Sequence, residues 1–453
     1  MKPDTKNLIV AVGSIALTLL FAKPGQAADI FSVYQQAAQE DPQLESAKEA
    51  LAAVQETKAQ SRAALFLPEA SLSANVNQDR QTVQFGGAAL GANGTSTFIS
   101  GGYSLTLTQP ILHYDRIIAW QQADKRIAQA EAEFAAAEIA LLLRVAERYF
   151  EVLAAADNLR FAKAQQEVLA RSLKETQQRQ AVGYLAMTDV QEAKAGYDRA
   201  LSDVVAAERQ LRDNQEGLQE ITGDFYTQLD GLRNDIPLIA PDPAIEERWV
   251  NQALSQNLGL RVSEQLVEIA RAAIDIQKAG HLPTLDAIGN QAYAISGGRF
   301  GSAEIADTIV GLNLNVPIYQ GGRVNSKIRE AEHRHNQAKA NLKQLQRTVH
   351  RAASQAFLGV VAGISHVKAL GQTLASSQTA LAATQAGFRA GRRTALDVTI
   401  AEREKLRAEK DYARARYNYL LDTLRLKQAV GTLSPEDLAQ INNLLTPSPM
   451  AGQ

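Results

Sequence analysis

The chain repeats itself once, and that repetition limits its fold more than any other feature. Leu67-Pro68 in the segment AALFLPEASLSANVN returns as Leu282-Pro283 in KAGHLPTLDAIGNQA. SLTLTQPILHYD around Pro110 returns as GLNLNVPIYQGG around Pro317. Gly183 then matches Gly391 and Asp189 matches Asp397, an offset of 208 residues in both pairs. Solenoid repeats run to roughly 20–50 residues, so so long a period means two copies of one structural unit rather than an array.

Each copy opens with a helical stretch, Pro42 to Phe66 and Gly259 to Gly280, and breaks at its Leu-Pro. Strand-like alternation follows. Leu72, Ala74 and Val76 interleave with Ser71, Ser73, Asn75 and Asn77, and Leu105 and Leu107 interleave with Ser104, Thr106 and Thr108. In the second copy Val310, Leu312, Leu314 and Val316 stand against Gly311, Asn313 and Asn315. Polar residues on one face and aliphatic ones on the other suit a barrel with a wet lumen and a lipid-facing exterior, although a half-exposed soluble sheet gives the same pattern. The Gly-rich gaps at 85–94 and 296–301 read as hairpin loops. A phosphate cradle would need a helix directly after it, and another strand-like segment follows each gap.

Beyond Pro110 and Pro317 each copy runs for about 70 residues without proline, enough for roughly 100 Å of helix at 1.5 Å per residue. Val324, Ile328, Ala331, Ala338, Leu342, Leu345, Val349, Ala352 and Ala356 fall on a three-four spacing, with His335 as the polar exception. Ile127, Ala130, Phe134, Ala137 and Leu141, then Val152, Ala155, Leu159 and Ala162, repeat it in the first copy. Alanine at seam positions favours close, shallow packing of helices laid side by side. The long helices end at Gly183 and Gly391, and helices of about 35 residues follow with Thr188 and Thr394 as expected N-caps. The organisation is thus a leader at 1–27, a first repeat at 28–222, a linker at 223–258, a second repeat at 259–431 and a tail at 432–453 that is Pro-rich from Thr446.

Lys2 and Lys6 precede an apolar run from Leu8 to Phe21, and Gly25-Gln26-Ala27 supplies a small-x-small cleavage site, so this segment reads as a secretory signal with the mature chain starting at Ala28. The run falls short of the ~17 residues a spanning helix needs, and no later stretch reads as a transmembrane helix. Export without a spanning helix points to strands in an outer membrane. The chain has no cysteine, which excludes disulfides, thiol chemistry and an N-terminal lipid anchor. A net charge of -2, with Lys and Arg interspersed among Asp and Glu, gives no footprint for nucleic acid.

The six histidines include His333 and His335, two apart on a helix and so pointing in different directions, with no H-E-x-x-H. No metal site, cofactor or catalytic constellation is expected, and the chain does not read as an enzyme. Gly359 and Gly363 suit close helix packing. Phe98, Tyr103, Tyr293 and Tyr319 lie near strand ends, as members of an interfacial aromatic girdle or as packing residues.

GHLPTLD at 280–286, VPIYQGGRVNS at 316–326, TDVQEAKAGYD at 188–198 and ARYNYLLDTLRLKQAVGTLSPEDL at 415–438 carry a resemblance that runs over nearly the whole mature chain. In these segments the sequence resembles the TolC family of outer-membrane export and efflux channels. The resemblance implies a homotrimer in outer-membrane lipid, with four strands per protomer forming one twelve-stranded barrel that continues into a twelve-helix periplasmic tunnel. It also implies recruitment by a periplasmic adaptor protein and an inner-membrane transporter of the ABC or RND type. By motif, Asp397 matches a constriction aspartate, Arg393 a clasp arginine, and Thr188 with Asp189 its acceptors on the other hairpin. Phe388 stands where the family's best-known member has a tyrosine, and Ile400 where it has a second constriction aspartate. The bland reading of the same residues is that they are turn and cap residues. A periplasmic adaptor would carry one hairpin flanked by compact β-domains, whereas this chain has two hairpins. An exported carbohydrate-acting enzyme would need an acid pair of identifiable role.

Overall fold

A computed structural model describes residues 28–84, 94–298 and 301–446. The expected leader, most of the first Gly-rich gap and the tail beyond Thr446 lie outside the described residues. In chain order the elements are α1 (Ile30–Glu40), α2 (Pro42–Phe66), β1 (Glu69–Val83), β2 (Gly94–Leu112), α3 (Tyr114–Ala181) and α4 (Met187–Thr222). There follow β3 (Gly231–Leu232), α5 (Glu246–Gln256), α6 (Leu258–Ala279), β4 (Thr284–Ser296), β5 (Ala303–Asn315), α7 (Arg323–Arg389), α8 (Ala395–Val430), α9 (Pro435–Asn442) and β6 (Leu445–Thr446). The succession α2-β1-β2-α3-α4 recurs as α6-β4-β5-α7-α8.

The four long strands form one antiparallel sheet in the order β1-β2-β4-β5. Its register places Leu72 opposite Leu105, Ala70 opposite Leu107, and Ala287 opposite Leu312, so these aliphatic residues share one face. Ser71, Ser73, Asn75, Ser104, Thr106 and Asn290 share the other, together with Ile288, Ile305 and Ile309, and there the Asn290 side-chain amide donates to Ser104 Oγ and Thr106 Oγ1, both at 2.9 Å. The aliphatic face is bare in the protomer: Val310 is 86% exposed and Leu72 71%. Tyr103 and Tyr293 stack on that face with centroids 5.8 Å apart. Phe98 pairs with Asp79 in register and projects from the opposite face, so of the two alternatives for these aromatics it takes the packing one. Period-two alternation reverses the side chain at every odd step, which separates residue 98 from residue 103.

The helices form two hairpins. The α7 seam runs through Val324, Ala331 and Val349 and then continues at Ala353, Phe357 and Val360, all buried. Ala352, expected on the seam, is exposed. A strict 3.5-residue repeat drifts by about 20° per heptad on a 3.6-residue helix, and a step of four in place of three restores the contact. His335 is half-buried on the seam and His333 is exposed. An 18-residue stretch of α7 is apolar enough by composition to cross a membrane, which corrects the expectation that none exists beyond the leader. Phe357, Leu358, Val360, Val361, Ile364, Val367 and Leu370 produce that hydropathy, and Phe357, Val360 and Val367 among them belong to the central core.

The core sits where the middle of α3 meets α1, the ends of α4 and α8, and the linker. Tyr149, Phe150, Leu218, Leu424 and Leu438 are fully buried there. The Tyr149 hydroxyl lies 3.1 Å from the Ala28 carbonyl oxygen and 2.8 Å from that of Asp230. The Tyr417 hydroxyl donates to Asp157 at 2.7 Å. Burial raises the pKa of both tyrosines well above the ordinary value, so both hydroxyls stay protonated. Part of the tail is structured here: α9 packs on the core and β6 pairs with β3 of the linker.

Candidate functional site

Among the described residues the two hairpin turns, not a cavity, hold the residues singled out by the sequence. α3 stops at Ala181 and α4 starts at Met187, while α7 stops at Arg389 and α8 starts at Ala395. Each turn depends on one left-handed residue, Gly183 at φ 81° and Gly391 at φ 70°. A side chain at either position would be strained, which explains the paired glycines. In both turns, the glycine and the residue after it donate their N–H groups back to the last helical turn. Gly183 and Tyr184 do so to Gln180 and Arg179, both at 2.9 Å, and Gly391 and Arg392 to Phe388 and Gly387 at 3.0 and 2.8 Å.

The restart of the chain differs between the tips. At the second, Thr394 is the N-cap as expected: its Oγ1 accepts from the Asp397 N–H at 3.2 Å. The Asp397 carboxylate in turn accepts from the Thr394 N–H at 2.8 Å and its hydroxyl at 2.9 Å, closing a reciprocal capping box. The Thr394 N–H, then its hydroxyl, then the charge of Arg393 hold the Asp397 carboxyl below the usual carboxylate range.

At the first tip the N-cap is Ala186, not Thr188, which lies inside α4 and is exposed. The chain enters the helix two residues earlier than Thr188 allows, because Asp189 reaches back to the Ala186 N–H at 2.9 Å and fixes the start there. Alanine has no hydroxyl to complete the exchange.

The structure therefore brings Arg393, Thr394 and Asp397 together on one tip and places Thr188 and Asp189 on the other. Among the described residues no hydrogen bond or ion pair joins Arg393 to Thr188 or Asp189 within a protomer. The Arg393 stem lies against Gly387, where a Cβ would come within 2.9 Å of its Cγ. Phe388 and Ile400 are both exposed, at 39% and 49%. Sequence reasoning passed over the exposed Val182, Tyr184 and Met187 of the first tip and Arg389 and Arg392 of the second. The signal was present in the unequal composition of two turns that share a backbone.

The helices behind the tips are tied laterally. Arg171 of α3 and Glu402 of α8 approach to 3.8 Å, and Lys163 of α3 meets Glu208 of α4 at 3.0 Å. Both hairpins thus point the same way, with the sheet at the opposite end of α3 and α7. Paired sheet and paired tips, at the two ends of long helices, are the parts of a conduit.

The family model described as outer membrane efflux protein matches residues 33–224 and 249–432. The outer membrane protein TolC of Vibrio cholerae is 35% identical over 92% of this chain and 93% of its own length. The proteases secretion protein PrtF of Dickeya chrysanthemi is 27% identical over 94% of both chains. The fold matches the crystal structure of the Campylobacter jejuni CmeC outer membrane channel with a TM-score of 0.72, at 15% identity over 98% of each chain. The chain belongs to the outer membrane efflux protein family and is an outer-membrane exit channel with a long periplasmic helical extension.

Proposed function

We infer that this exit channel works as a homotrimer whose hairpin tips close the periplasmic end of the duct. The observation that carries the reading is the four-stranded sheet, whose outer strands β1 and β5 each have one edge without a partner strand among the described residues. Even small closed barrels use about eight strands, so a single protomer is too small to close one. Three copies supply twelve strands and twelve helical segments in the family's arrangement. An apolar outer face and a hydroxyl- and amide-lined inner face suit lipid outside and water within.

In the closed trimer Arg393 reaches Thr188 and Asp189 across neighbouring hairpins, and three copies of Asp397 ring the constriction. Phe388 adds no hydroxyl to this clasp, and Ile400 leaves the acidic ring single. The duct itself is passive. An inner-membrane pump, of the ABC or RND type, and a periplasmic adaptor recruit it for drug efflux or protein secretion, and the similarity to the protease secretion protein supports the second route.

Because the natural chain has no cysteine, the assembly can be tested cleanly. Asn75→Cys on β1 and Asp307→Cys on β5, in one chain, should yield covalent trimers with a flexible bifunctional thiol reagent. A ladder that stops at dimers, or no cross-linking in membranes, would overturn the trimer.

A further inference from the structure

Where α3, α6 and α7 run side by side they enclose a groove of about 570 Å3. Leu266, Ala270, Ala273 and Ala338 give it an apolar bed, and Leu266 is 43% exposed. Its charged residues are Arg126 of α3 and Lys327, Glu330 and Arg334 of α7. The one carboxylate is taken, since Glu330 and Arg334 pair at 2.5 Å. Among the described residues the side chains of Arg126 and Lys327 make no hydrogen bond or ion pair, and both are exposed. Farther from the sheet, a groove of about 590 Å3 bounded by α3, α4 and α8 sets Arg148, Lys410 and Arg414 against Glu151, Asp157 and Asp411. The lower groove is balanced in charge, whereas the upper one keeps two uncommitted cations beside an apolar bed. That upper groove lies on the face the linker leaves open. Arg126 stands 23 residues before Tyr149, a rotation of about 140–205° at 3.6 to 3.5 residues per turn, and Tyr149 meets the linker at the Asp230 carbonyl oxygen.

We propose that this upper groove is a binding site in the duct wall for amphipathic organic anions, drug-sized molecules with an apolar body and a carboxylate or sulfonate head. The proposal rests on the homotrimer reading above: three copies of the linker, α1 and α9 would block the bore if they faced inward, so the opposite face lines the duct. Arg126 and Lys327 supply charge-assisted donors for the head, and Leu266 with the alanines replaces water around the body. The volume falls within the roughly 300–1,000 Å3 of sites that hold ligands of that size. A cation of the same shape meets like charge at the same place. The wall of the duct therefore distinguishes cargo by the sign of its charge.

The test uses the full chain in phosphatidylcholine nanodiscs and two probes built on one ring system, naphthalene-2-sulfonate and 2-naphthyltrimethylammonium, with binding measured by equilibrium dialysis against empty nanodiscs. The sulfonate should bind at least about tenfold more tightly at about 50 mM salt, with the preference shrinking near 500 mM. Arg126→Gln with Lys327→Gln should abolish the preference, whereas Lys410→Gln with Arg414→Gln in the lower groove should leave it intact. Equal binding of the two probes, an unchanged preference in the upper-groove variant, or an equal loss in the lower-groove variant overturns the proposal. Inorganic sulfate that competes as strongly as the naphthalenesulfonate also overturns it, because the apolar bed would then contribute nothing. Cysteine cross-linking of the same preparations separates the two levels: covalent trimers that show no charge preference sink the binding site alone, whereas a failure to form trimers sinks the duct reading on which it rests.

Discussion

At the second tip Thr394 and Asp397 exchange three hydrogen bonds, while at the first Ala186 offers no hydroxyl and Asp189 makes one. The backbone turn is the same, down to the left-handed glycine and its returning N–H groups. Duplication has therefore kept what the chain needs in order to reverse and has let the side chains diverge. A carboxylate locked into its own cap has little capacity left for a neighbour. Asp189, with one bond inside its protomer, keeps an oxygen for an arginine from elsewhere. Under the proposed clasp, the second tip is the donor of the cation and the first tip its acceptor.

The largest expected effect comes from removing that cation. Exposed links contribute roughly 0.2–1 kcal/mol each, so three lost together would raise the open population about thirtyfold. Arg393→Ser should show it as resting conductance in planar bilayers; parental conductance would leave the tips as caps and put the gate elsewhere.

Next in size is the cap itself. Thr394→Ala should cost about 1 kcal/mol at the start of α8, read as faster amide exchange in its first turn. Ala186→Thr should do the reverse at α4 by completing the missing half of the box. If both variants exchange like the parent, the difference between the tips is only a difference of sequence.

Asp397→Asn keeps the acceptor oxygen of the cap and removes the charge, so it separates the two uses of this residue better than alanine would. Block by divalent cations should weaken severalfold, with closure retained. Folding lowers the Asp397 pKa. Its ionised cap therefore adds stability at pH above the ordinary carboxylate value of about 3.9 and loses it as pH falls through the lowered folded value. Tip exchange rates, corrected for intrinsic chemistry, should accordingly be flat from about pH 7 to 5 and rise only below about 3.9. A rise already near neutral pH would contradict the cap geometry.

The smallest effect is expected from Phe388→Tyr. One added hydrogen bond at a solvent-exposed site should lower resting conductance about twofold. An increase would show that the ring at this position holds the hairpins apart.

Much of this molecule was legible in its sequence because local chemistry sets it. Leu67-Pro68 and Leu282-Pro283 end helices and begin strands, and Gly183 and Gly391 reverse the chain, since these choices follow from each residue's own backbone sterics. Period-two alternation was enough to place Leu72 and Val76 on one face and Asn75 on the other. The misreadings were of position. Thr188 is as good a cap as Thr394, and only the reach of Asp189 to Ala186 selects the earlier start. Ala352 and Ala353 are chemically identical, so no residue type announces where the seam shifts.

The sequence by itself determined that there are two copies of a strand-pair and helical-hairpin unit, where each unit turns, and which residues crowd the tips. Short-range periodicity and turn sterics act between residues a few positions apart, and a repeat exposes them twice. Only the tertiary structure decided that β2 of the first copy lies beside β4 of the second, that the linker, α1 and α9 gather round the middle of α3, and that Phe98 and Tyr103 part company. These outcomes depend on contacts such as His113 with Asp286, 173 positions apart at 2.8 Å, and Tyr417 with Asp157, 260 positions apart. Partners that distant are chosen by the shape and burial of the whole assembly of elements, which no local pattern encodes.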